Sequence, residues 1–150
     1  MVLAPIRERI KSTVDITSIL NKRFFGASIL CLEPGELIGS MHRVNLGNIG
    51  LSLLRLNKKV AICADRKGNQ HFFSVNLSET FSCSNSTIIA QGVNIENPAI
   101  FGFNSGLTDL DLQLHSQSCF CSISIESHFL IQKLSQYNCL QVQYILENYN

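Results

Sequence analysis

Charged side chains are scarce in this sequence. Of its 150 residues, 15% are Asp, Glu, Lys or Arg, against about 25% in an average soluble domain. The net charge is +1, which argues against native disorder, because a disordered chain combines low hydrophobicity with high net charge. Long apolar runs are missing too. Stretches such as Ile29-Leu30-Cys31-Leu32 are strand-sized, far short of the ~18–20 residues that a membrane-spanning helix needs. The N-terminus, Met1 to Arg9, has no apolar core of the kind a secretory signal carries. A cytoplasmic protein with no membrane partner is expected, and its six cysteines are expected to be reduced, structural thiols.

Motifs that announce chemistry are absent as well. There is no CxxC, no GxGxxG, no GxxxxGK[ST] and no GxSxG, so zinc-ribbon, nucleotide-loop and nucleophile-elbow readings have no support. No two of the four histidines stand one residue apart. No helix-turn-helix pattern is visible, and direct DNA reading by this chain alone is not expected.

What is present is uncharged and polar. Ser, Asn and Gln make up 38 residues, and 45% of the chain is apolar, enough for one domain with a real core. The charge is uneven: residues 1–67 hold 11 of the 12 Lys and Arg against 5 acids, and residues 68–150 hold one base against 6 acids. The bases are dispersed rather than gathered on one element, which fits solvated surface charge better than a nucleic-acid footprint.

Residues 5–20 read as a short helix, with Pro5 at its first position and Ile6, Ile10 and Val14 as its apolar stripe. From residue 24 the pattern changes to short β runs between turn residues. Strands are predicted over 24–32, 37–46, 49–56, 60–64, 70–77, 81–83, 87–91, 99–104, 109–115 and 119–125. Strands at this spacing with no helices between them predict an antiparallel sandwich or barrel. A helix is predicted from Ser124 or Ser127 to about Tyr137, and a second over Leu140–Glu147. The chain therefore divides into an N-terminal arm or short helix (1–23), a β-barrel (24–125) and a C-terminal helical segment (126–150).

Candidate reactive groups are few. His71 and His115 with cysteines could be assembled by distant strands into a metal site, which would make the chain a small metal-dependent cupin enzyme. Asp109 and Asp111 share a strand face beside a turn, where solvated acids are the ordinary outcome. No catalytic residue, cofactor or metal is predicted, and the chain is not expected to be an enzyme. A structural interaction module with no cavity is a third reading.

One stretch carries a resemblance. Leu30-Cys31-Leu32-Glu33-Pro34-Gly35-Glu36-Leu37-Ile38-Gly39-Ser40 resembles the G-x-F-x-G turn and strand of the N-terminal regulatory domains of AraC-type transcription regulators, with Leu37 in place of the aromatic. Asn45 to Asn57 resembles the next pair of strands in that family. Phe72 to Leu77, Phe81 to Cys83 and Ile100 to Asn104 follow in the order such domains show, and Ile123 to Leu130 resembles their last strand entering a helix.

The resemblance implies a cupin-like or jelly-roll antiparallel barrel followed by one or two short α-helices. It implies a small-molecule effector inside the barrel and a homodimer formed through the helices. DNA would be reached only through a C-terminal helix-turn-helix domain, which these 150 residues do not contain. Within that frame His71, Phe73, Phe101 and Phe103 are the candidate pocket lining, suited to a small, partly apolar molecule. Phe129, Leu130 and Leu134 are the candidate dimer contacts.

Overall fold

Alternation of apolar and polar residues over short runs produces strands wherever turn residues bracket the run, and the barrel grows from that rule. The computed structural model describes residues 4–66, 70–77, 88–95, 100–102 and 109–136. Among these residues the order is β1 (Ile6–Ile10), α1 (Thr13–Asn21), β2 (Phe24–Cys31), β3 (Gly39–Asn45), β4 (Ile49–Leu56), β5 (Val60–Arg66), β6 (Gln70–Asn76), β7 (Ile88–Ala90), β8 (Val93–Ile95), β9 (Ile100–Gly102), β10 (Asp109–Leu114), β11 (Cys119–Glu126) and α2 (Ser127–Gln136). The expected strand over 81–83 and the second helix over 140–147 lie outside the described residues, as does Phe103.

The strands form two sheets in which every pairing is antiparallel. One has the order β1-β3-β4-β11-β6-β9 and the other β2-β5-β10-β7-β8. This is the predicted mainly-β jelly roll with a helix after its last strand. The core lies between the sheets. Leu112 faces Ile62 on one side and Ala90 on the other, and Leu114 faces Val60 and Ile88 in the next row. All six side chains are buried. The opposite sheet contributes Met41, Leu54, Phe72 and Phe120.

The N-terminus departs from expectation. Residues 6–10 are not helical; they form β1, paired with β3 from Ile6↔Arg43 to Ile10↔Gly39. Ile6 and Ile10 are four apart, a spacing that lies on one face of a helix and equally on one face of a strand. The decision falls at Ser12, whose hydroxyl accepts from the Asp15 amide at 3.2 Å while Asp15 accepts from the Lys11 amide at 2.8 Å. This N-cap starts the helix two residues past the strand. The helix then buries Ile16, Ile19 and Leu20 against one end of the barrel, whereas Val14 is 74% exposed.

Strand β2 carries a bulge between Phe25 and Ser28, with Gly26 at φ +57°. The extra residue breaks the two-residue alternation, so Phe24 and Ala27 are both buried although three apart. The Asn21 side chain fixes this corner by accepting from the Ala27 amide at 2.9 Å.

Candidate functional site in the barrel interior

The strand register places a polar row across the inner face of the six-stranded sheet. Arg43 on β3 pairs with Ser52 on β4, Ser52 with Ser122 on β11, and Ser122 with Ser74 on β6. Ser52 and Ser74 are buried. Above this row sits an apolar one, Met41, Leu54 and Phe120; below it lie Gly50, Ser124 and Phe72.

These rows enclose a cavity of about 60 Å³ between the two sheets. A water needs roughly 10–15 Å³ of such space, so the chamber has room for a few waters or a molecule of a few heavy atoms. Its wall is mostly apolar, with Phe24, Leu54, Ile62, Phe72, Leu112 and Phe120 prominent, and Ser52, Ser74, Ser122 and Arg23 supply the polar groups. The rings of Phe24 and Phe72 approach to 5.3 Å between centroids at a 32° tilt. A second, polar hollow of about 230 Å³ adjoins it, lined by Lys22, Asn45, Asn48, Gln70, Ser124 and Glu126 among others. Arg23 belongs to both and marks the boundary between the apolar chamber and the polar mouth.

Arg23 reaches this place because it joins α1 to β2. The helix ends at Asn21 with Lys22 as its C-cap, and the Arg23 amide closes onto the Leu20 carbonyl at 2.8 Å. Its guanidinium lies over Gly50: a Cβ there would come within 3.0 Å of Arg23 Nη2 and 2.5 Å of Ser124 Oγ. Burial, then the charge of Arg43, both pull the Arg23 pKa below its ordinary value, though an arginine stays protonated throughout the working pH range.

The neighbouring Arg43 is satisfied on one side only. Its Nη2 donates to Glu8 Oε2 at 2.5 Å, and Lys22 Nζ donates to Glu8 Oε1 at 2.6 Å. Glu8 therefore joins β1, the C-cap of α1 and β3 with one carboxylate. Arg43 Nε and Ser74 Oγ are buried with no hydrogen-bond partner, an arrangement native interiors rarely leave in place without a reason.

Burial raises the Glu8 carboxyl and its two cations outweigh it, so the net pKa falls below the ordinary 4.5. A carboxylate of this kind stabilises the fold fully above about pH 4.5 and loses that contribution as pH falls through its lower folded value. We therefore expect Glu8→Gln to cost about 1–2 kcal/mol at pH 7, with the deficit shrinking toward pH 3. Urea unfolding of both proteins across that range checks it; a deficit that stays constant with pH would refute the assignment.

Neither His71 nor Phe73 of the predicted lining borders this chamber. His71 and Phe73 stand on the outer face of β6, and the residues between and beside them, Phe72 and Ser74, face the chamber. Phe101 lies on β9 opposite Ser74 in the backbone register. Arg23, Arg43 and the serine row were missed: serines in strands read as outer faces, and Arg23 reads as surface charge. The available signal was Ser52, Ser74, Ser122 and Ser124 recurring at one phase within three apolar strands. Among the described residues no three His, Cys, Asp or Glu side chains converge on one point. Burial, together with the charge of Cys119, raises the Cys121 thiol pKa, as suits an unreactive thiol.

Helix α2 carries Phe129, Leu130 and Leu134, all half-buried, with Lys133 Nζ 5.6 Å from the Phe129 ring centre. No helix among the described residues is long and apolar enough to cross a membrane.

No protein-family model matches the sequence, and no curated protein matches it. Solved structures do match the fold. The AraC-like transcriptional activator CuxR superposes with a TM-score of 0.57 at 8% identity over 88% of this chain and 51% of its own. A sugar phosphate isomerase of the cupin superfamily from Silicibacter pomeroyi gives 0.43 at 10% identity, covering 83% of this chain and 71% of its own. A putative ethanolamine utilization protein from Salmonella typhimurium gives 0.40 at 8%, covering 85% and 99%. The chain spans about half the length of the AraC-like activator, and at such identities the likeness is one of fold: an antiparallel jelly roll that continues into a helix.

Proposed function

We propose that this chain is the ligand-sensing and dimerisation domain of an AraC-type regulator, with DNA reading left to a helix-turn-helix domain outside these residues. The observation that carries the proposal is the interior chamber: a largely apolar cavity between two sheets, crossed by a buried polar row and opening past Arg23 to a polar mouth. A ligand held there would touch both sheets and the end of α1. Occupancy would then favour one arrangement of these elements over another, which is how a small molecule shifts a population of states. Phe129, Leu130 and Leu134 on α2 are proposed as half of a symmetric helix-mediated contact.

Native mass spectrometry of the purified chain, with and without Leu112→Trp to fill the chamber, tests the sensing part. A small molecule retained by the parent and absent from the variant supports it; identical behaviour of both proteins in a broad metabolite screen overturns it. Light scattering tests the dimer: Leu134→Glu should convert a dimer into a monomer, and a parent chain that stays monomeric at high concentration removes this part of the proposal.

A further inference from the structure

We propose that the chamber takes a small organic anion, one carboxylate on a short apolar body, with the carboxylate held by Arg23 and the Ser74 hydroxyl. The inference rests on the ligand-binding reading above and adds the chemistry of the ligand.

Charge points to an anion. Among the described residues no carboxylate lies within ion-pair distance of Arg23, and the nearby Glu8 is already shared by Lys22 and Arg43. Arg43, which is not part of the chamber lining, adds a like charge near Arg23. A half-buried cation without a counter-charge is costly, and a carboxylate beside Arg23 removes that cost with a charge-assisted hydrogen bond. On the mouth side Glu126 is the acidic lining residue, and its carboxylate stands 3.3 Å from His128 Nδ1.

Buried polar groups locate the headgroup. Ser74 is 1% exposed, its Oγ has no hydrogen-bond partner, and it lines the same small chamber as Arg23. An unpaired hydroxyl aimed into a cavity lacks the partner that such groups normally have. Gly50 completes the cradle, since a Cβ at that position would crowd the guanidinium.

The rest of the wall fixes the body of the ligand. Beyond three serines and Arg23 the chamber offers only aliphatic and aromatic surface. A molecule rich in hydroxyls would lose hydrogen bonds to water there and regain few, so a polyol fits poorly. A volume of about 60 Å³ limits the buried body to a few carbon atoms.

The test uses calorimetry and thermal shift on the full chain, with acetate, propionate and butyrate against their uncharged amides. Carboxylates should bind and raise the Tm, with the amides roughly tenfold weaker or more, the scale of one charged hydrogen-bonded contact. Arg23→Gln should reduce carboxylate affinity to that of the amide, Ser74→Ala should weaken it less, and Arg23→Lys should keep part of it. Circular dichroism confirms that each variant folds. Amides that bind as tightly as acids, or Arg23→Gln that binds acids undiminished, overturn the anion assignment. If neutral compounds bind and Leu112→Trp blocks them, the anion assignment falls and ligand sensing stands. If neither acids nor amides bind, both fall.

Discussion

Phe72→Ala should destabilise the domain by about 3–5 kcal/mol, the range for removing a fully buried phenylalanine. Its neighbour in sequence, Phe73→Ala, should cost only about 1 kcal/mol, because half of that ring's burial is at stake. Phe72 is 4% exposed, packs on Phe24 and forms part of the chamber wall. Truncation therefore forfeits apolar transfer, a ring contact and the support of a cavity already present. For a chain of this length roughly 2–4 °C of Tm accompanies each kcal/mol, so thermal scans should separate the two variants by several degrees. Equal losses, or the larger loss at Phe73, would mean that the facing of β6 is opposite to the one described.

That pair of residues also shows what the sequence could reveal about this fold. Positions of most strands were legible: β4 was predicted over its observed span, and β2, β5, β6, β10 and β11 within two residues at each end. Turn residues and apolar runs are local signals, and they dominate where strands start and stop. The facing of β6 was not legible from alternation. Its outer positions are His71, Phe73 and Val75, and its inner ones include Phe72 and Ser74, so the more hydrophobic phase points away from the core. The polar row on the inner face inverts the usual rule, because Ser74 takes an inward position that an apolar side chain would ordinarily hold. On β10, away from the polar row, Leu112 and Leu114 alternate with Asp111 and Gln113 and the simple reading holds. The site was hidden for a related reason. Arg23, Arg43 and the serines come from five separate segments, and only the register between strands brings them together.

Gly39→Ala is the second substitution expected to have a large effect, about 2–3 kcal/mol, within the range for forcing extra atoms into a packed interior. Gly39 begins β3 and pairs with Ile10 on one side and Leu56 on the other. A Cβ there would sit on the Arg55 carbonyl oxygen and 2.7 Å from Leu56 Cδ2. A backbone oxygen in a paired strand cannot turn aside as a side-chain tip can, and Leu56 is itself 3% exposed. Alanine restricts the unfolded chain by about 0.4–1 kcal/mol, which offsets a small part of the loss. Gly50→Ala should cost less, since its close neighbours are the tips of Ser124 and Arg23. Urea titrations decide the matter through the midpoints, provided the slopes stay equal. The ranking fails if Gly39→Ala is the milder of the two.

The position of β11 between β4 and β6 has a consequence for how the domain comes to exist in time. The Ser52 hydroxyl reaches the Ser122 carbonyl across 70 residues of chain, and that of Ser124 reaches the Gly50 carbonyl across 74. On a ribosome, β3 and β4 can form a hairpin early, but the larger sheet has a gap at its centre until residue 126 has emerged. Closing such distant pairs comes late and slowly, because chain entropy must be lost before the contacts repay it. During that interval the flank of β4 is an unpaired strand edge beside an incomplete core, the kind of surface on which nascent chains misassociate.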